Sequence, residues 1–218
     1  MFASLTNREN WQRYLKSLKF ALYCTTHPLD GLWDLTHEKR GTLAAANTIL
    51  FVSVFLRILK LKYTSFLFVT VYWEELNILT YVASILFPLA LFVVGNWALT
   101  TLFDGKGNLR NVYIATCYAI TPYPLIQLPL MIVSNFVTVD EAAFYSALSV
   151  ISLIWVLFIG IFGMSQVHDY SFGKNFLFMI ATVFAMLVMV FILMLFFSMI
   201  SQGVAYFISI AKELMFRM

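Results

Sequence analysis

At 218 residues the chain has the length of one or two soluble domains, yet 61% of its residues are hydrophobic, 11% are charged and the mean hydropathy is +0.85. So little charge cannot cover a water-facing surface, which excludes a soluble globular protein. The net charge of +3 is too small to mark a nucleic-acid partner, so lipid is the solvent expected for most of the chain.

Residues 5–23 read as an amphipathic helix lying on a membrane surface. Trp11, Tyr14, Leu15, Leu18 and Leu22 form one apolar stripe, with Arg8, Arg13, Lys16 and Lys19 on the other faces. Packing on the protein's own cytoplasmic loops is the alternative. Charge where an apolar core should lie argues against a signal peptide. The next stretch, "THPLDGLWDLTHEKRG" (26–41), would bring His27, Asp30, Asp34 and His37 to one helix face. Pro28 and Gly31 argue against a continuous helix, so a surface connector is expected and no metal site. Cys24 and Cys117 have no spaced partner, so neither a disulfide nor zinc is expected.

Five apolar runs follow, at 42–61, 77–103, 112–137, 144–167 and 176–200. The last four are long enough to cross about 30 Å of hydrocarbon. The first spans if Arg57 and Lys60 snorkel outward. Between the first two runs, Tyr63, Phe66, Phe68, Tyr72 and Trp73 suggest an interfacial aromatic segment. After Ile200, Phe207, Ile208, Ala211 and Met215 recur at helical spacing, in either a second surface helix or the end of a tilted span.

The expected fold is all-α, with three parts: an amphipathic segment and connector (1–41), a five-span membrane domain (42–200) and a C-terminal amphipathic helix (201–218). With the N-terminus inside, inner segments carry nine Lys/Arg and outer segments five, which favours N-in, C-out. The absence of an Asn-x-Ser/Thr sequon favours a bacterial cytoplasmic membrane. An ungapped shift of 66 residues superposes Leu91/Leu157, Gly107/Gly173, Ile114/Ile180, Thr116/Thr182 and Ala119/Ala185, suggesting two helical hairpins of one orientation.

Asp104-Gly105-Lys106-Gly107 lacks the spacing, the following Ser/Thr and the preceding strand of a phosphate loop, and reads as a tight turn. Its counterpart is "HDYSFGKNF" (168–176). Asp104, Lys106, Arg110, His168, Asp169 and Lys174 would crowd together there, either pairing with one another and lipid headgroups or forming a docking surface for a partner. In the third run, Pro122, Pro124 and Pro129 free the carbonyls of Tyr118, Ile120 and Leu125. Neighbours, Thr121, Gln127 or cavity water must resatisfy them. Such a break is either an ordinary kink or the wall of a solute site. No Asp, Glu, Lys, Arg or His lies inside the last four runs, and no catalytic constellation is recognisable. Neither enzymatic activity nor a cofactor is expected.

"DGKGNLRNVYIATCYAITPYPL", "HDYSFGKNFL" and "HPLDGLWDLTHEKRG" resemble the bacterial branch of the Yip (Ypt/Rab-interacting protein) family. Tyr118 and Pro122 fit the family's Gly-Tyr-x-x-x-Pro pattern, with Cys117 in place of its glycine. The long hydrophilic N-terminal region of eukaryotic members has no counterpart here. The resemblance implies a five-span, non-enzymatic protein that works by binding others. For bacterial relatives it implies an accessory role, with the permease subunits of a carbohydrate ABC importer as partner. A small-solute channel or carrier on the broken span is the alternative, and membrane shaping or trafficking as in eukaryotic relatives is a third.

Overall fold

The computed structural model describes residues 8–68, 74 and 76–217. Tyr72 and Trp73 of the aromatic segment lie outside them, as do the side chains of Arg8 and Ala211. The described residues form eight helices and no strand: α1 (Arg8–Thr26), α2 (Pro28–His37), α3 (Leu43–Tyr63), α4 (Ile78–Thr101), α5 (Leu109–Ala119), α6 (Pro122–Val133), α7 (Ala142–His168) and α8 (Phe172–Arg217). Five stretches are long and apolar enough to cross a membrane: α3, α4, the α5–α6 pair, α7 and α8. Three of them start on side-chain caps. Thr42 accepts from the Ala45 N–H, Asn77 from Leu79 and Thr80, and Asn108 from Asn111.

Four spans make a ring. α4 packs along α8, while α5 and α6 pack along α7, so the first helix of each hairpin lies against the second helix of the other. α3 lies on α5 and α6. The turns 102–108 and 169–171 share one end of the ring with residues 38–42, hereafter the basic end. α4 and α7 stop there by the same device. Asp104 (φ 60°) lets the Gly105 N–H reach the Thr100 carbonyl at 2.9 Å, and Asp169 (φ 54°) lets Tyr170 reach Ser165 at 3.1 Å. These are left-handed caps occupied by Asp. The ungapped register of 66 is not kept. The capping aspartates are 65 residues apart (169 − 104) and the helix starts after them 63 apart (172 − 109), because the first turn is longer.

One expectation for the N-terminal segment is corrected, and of the two alternatives for α1 the structure shows packing on the protein itself. Residues 28–37 are a helix, because Pro28 sits at its first position, where a missing N–H costs nothing. α1 and α2 then form a hairpin against the bundle, and α1 does not lie alone on a surface. Its buried face is Ser17, Ala21 and Cys24, small residues that permit close approach, while Trp11, Leu15 and Leu22 of the expected stripe remain exposed. Gly31 completes the hairpin, since a Cβ there would stand 2.9 Å from the Cys24 Cα.

The hairpin runs along α7. Thr25 accepts from the Trp155 indole at 3.1 Å, Leu32 packs on Gly163, and His37 meets Asp169 at 3.4 Å. Trp155 is 13 residues before His168, so the hairpin's tip lies about 20 Å along α7 from the basic end. The C-terminal segment is not a separate helix. α8 runs unbroken for 46 residues, about 69 Å, more than twice the hydrocarbon thickness.

Candidate functional site

At the basic end, Asp169 joins three elements. Its carboxylate meets Lys106 of the first turn at 3.0 Å and His37 of α2 at 3.4 Å. Lys174 turns elsewhere, lying 4.0 Å over the Tyr170 ring and donating to the Phe103 carbonyl at 3.5 Å. Tyr170 itself donates to Phe103 at 2.7 Å, and burial with the charge of Asp104 pushes its pKa up. The exposed Asp104 serves the cap. Arg110 faces the opposite way, into a cleft of about 330 Å³ shared with Arg13 and Lys39. Lys16 borders the neighbouring cleft and Lys19 is exposed. Arg40 pairs with Asp34 at 3.2 Å and with Glu38 at 2.5 Å. Among the described residues no His, Cys, Asp or Glu group is arranged to hold a metal, and the shared face of His27, Asp30, Asp34 and His37 is divided between these ion pairs and solvent.

His168 departs from the expected surface. It is 1% exposed, and its Nε2 lies 2.9 Å from the Asn96 Oδ1 of α4. Asn96 donates in turn to Thr182 of α8 at 3.1 Å. The two glycines of Asp104-Gly105-Lys106-Gly107 cover its ring. A Cβ at Gly105 would stand 3.0 Å, and one at Gly107 2.7 Å, from His168 Nδ1. The sequence held a signal for this: the glycines alternate with charged residues, so only they can lie flat on a buried ring.

Tyr118, fully buried in α5, anchors the hairpin. Its hydroxyl is 2.6 Å from that of Ser17 and donates to the Ser17 carbonyl at 3.1 Å. Ser17 donates to Arg40 O at 2.9 Å and accepts from Thr42 N–H at 3.2 Å. Tyr14 of α1 meets Thr48 of α3 at 2.9 Å, with the partly buried Leu18 beside the core.

The proline break occupies a single turn at Ile120–Thr121. The freed Tyr118 carbonyl accepts from the Thr121 N–H at 3.1 Å, and Ile120 from Tyr123 at 2.9 Å. These two carbonyls are thus resatisfied by tight three-residue turns of the chain itself. Thr121 Oγ1 is buried without a partner. Pro122 is buried, Pro124 half-buried and Pro129 exposed. Gln127 plays no part in the break. Its amide donates to Ser152 Oγ at 2.6 Å and Ser149 Oγ at 3.1 Å, and its oxygen accepts from Lys60 at 2.5 Å. Lys60 therefore turns into the bundle instead of snorkelling outward, because a buried amide oxygen awaits it.

Five spans, a self-sealing proline kink and a helical hairpin packed against one half define a polytopic α-helical membrane protein. The model of the Yip1 domain family matches residues 22–196, and the chain belongs to that family. The match begins within α1 and takes in α2. No curated protein and no solved structure matches the chain.

Proposed function

We propose that this integral membrane protein works by binding, as a non-enzymatic scaffold or accessory subunit of a larger complex in a bacterial cytoplasmic membrane. The observation behind this reading is α8. Only 6% of its apolar window is buried within the chain, and beyond Ile200 the same helix continues with Val204, Tyr206, Phe207 and Ile208 exposed. The apolar part of α8, Phe172–Ile210, is about 58 Å long and exceeds the ~30 Å hydrocarbon core, so lipid alone does not cover its whole surface. Helices of a membrane partner would cover the remainder, and the permease subunits of a carbohydrate ABC importer are the class implied by the resemblance. The basic end, rich in Lys and Arg, faces the cytoplasm in this reading, with the C-terminus outside.

Affinity isolation of the full chain from native membranes in mild detergent tests it. Stable co-isolation with integral membrane subunits, permeases among them, is expected. A persistent monomer overturns it. A solute carrier is the second reading, favoured by the polar cleft beside Gln127. It requires flux into sealed liposomes that Gln127→Ala abolishes.

A further inference from the structure

Arg57 and Lys60 stand on α3, near the end of the bundle opposite the basic end. Together with Tyr81, Tyr123, Gln127 and Ser149 they line a cleft of about 230 Å³ between α3, α4, α6 and α7. Lys60 reaches inward to the Gln127 oxygen, which spends one of its three donors. The Arg57 guanidinium makes no ion pair or side-chain hydrogen bond among the described residues, and no carboxylate lines the cleft. Among the described residues, Arg57 and Lys60 therefore share a recess of the α3 span with no carboxylate to pair with. Cations are kept at such positions only when something pairs with them.

Depth and size narrow the occupant. Lys60 is three residues from the end of α3, Gln127 six from the end of α6 and Ser149 seven from the start of α7. At 1.5 Å per residue these polar groups lie about 5 to 10 Å below the helix ends, just beneath the headgroup plane, with Leu153 closing the recess deeper. A volume near 230 Å³ holds about eight waters at ~30 Å³ each, the room of a phosphodiester and its first glycerol carbons. Tyr81 and Tyr123 add hydroxyls at the same level. We propose that this cleft binds the phosphate of a net-anionic phospholipid headgroup from the adjacent leaflet, between Arg57 and Lys60.

The test measures thermal stabilisation of the full chain in neutral detergent, titrated with phosphatidylglycerol, phosphatidylcholine or inorganic phosphate. Arg57→Gln is the informative variant, since the side chain it removes makes no ion pair or hydrogen bond among the described residues. Phosphatidylglycerol should stabilise the native chain more than phosphatidylcholine, and its half-saturating concentration should rise about tenfold in Arg57→Gln, the worth of one charged hydrogen bond. Arg57→Gln/Lys60→Gln should remove the preference, while Lys16→Gln/Lys39→Gln at the basic end should keep it. An unchanged midpoint in Arg57→Gln overturns the site. Full stabilisation by inorganic phosphate alone, lost in Arg57→Gln, overturns the headgroup as its occupant in favour of a soluble anion.

Discussion

Gly107 lies on the ring of His168. A Cβ built on Gly107 would come within 2.7 Å of both Cε1 and Nδ1, and within 2.6 Å of Val167 Cγ1. The first turn is therefore a lid over a buried imidazole that bridges α7 to Asn96 of α4. Gly107→Ala should destabilise by about 1–3 kcal/mol, the usual cost of overpacking. Gly173, its partner in the sequence repeat, has nothing within 4 Å of a Cβ, so Gly173→Ala should be neutral or slightly stabilising. Melting of the two variants in one detergent checks the contrast, and equal losses would refute the lid.

Ser17 and Tyr118 couple the hairpin to the spans across 101 residues of sequence. Ser17→Ala leaves the half-buried Thr42 N–H without its acceptor and the Arg40 carbonyl without its donor, while Tyr118 keeps the Ser17 carbonyl, and should cost about 1–3 kcal/mol. Tyr118→Phe should cost less, since Ser17 keeps its bond to Arg40. A double-mutant cycle should return a coupling of about 1 kcal/mol. Additive effects would show that the pair does not hold the hairpin.

Asp169 separates folding from docking. Its ion pairs are solvent-accessible, so Lys106→Gln should shift stability by no more than about 1 kcal/mol. Asp169→Ala, at a left-handed position, should cost about 1–2 kcal/mol, and Asp169→Gly should recover most of it. If Lys106→Gln keeps its melting temperature yet loses co-isolating subunits, the turns contact the partner directly. Retained subunits would move the contact to α8.

Cys24 is buried beneath Gly31, and its thiol pKa is pushed up to about 12, by desolvation first and then by the charge of Asp34. It should resist maleimide at pH 8 until the chain unfolds. The linkage has a definite sign. The neutral thiol is favoured in the fold, so its contribution is complete below the unfolded value of 9.0 and is lost as pH rises from there towards 12. Cys24→Ala should flatten the alkaline limb of the stability profile between those limits, and an unaltered limb would remove Cys24 as its cause.

Much of the fold was legible because lipid imposes a simple rule on sequence. Five apolar runs appear as five spans, four with ends shifted by a few residues and the last continued to Ile210, and Asn77 and Asn108 cap helices as their side chains suit them to do. The candidate site was only partly legible. Asp169 and Lys106 do meet, as two aspartate-containing turns at one end would suggest, whereas Arg110 and Lys174 turn to other partners. His168 looked like a surface residue because it follows an apolar run. Its burial depends on two glycines sixty residues upstream, which no local pattern reports.

The N-terminal hairpin marks the boundary most clearly. Periodicity picked out Trp11, Tyr14, Leu15, Leu18 and Leu22; Tyr14 and Leu18 do pack on the core, but Trp11, Leu15 and Leu22 remain outward. Small residues face the bundle, because they let the helix backbones approach closely. By itself the sequence determined that the chain lives in a membrane, how often it crosses and where its turns fall, since solvation energy and helix geometry act residue by residue. Only the tertiary structure decided that the hairpin docks through Ser17 on Tyr118, that Lys60 turns inward to Gln127 and that His168 lies beneath Gly107. Those contacts depend on which helix stands beside which, and hydrophobicity, nearly uniform along these spans, does not specify that choice.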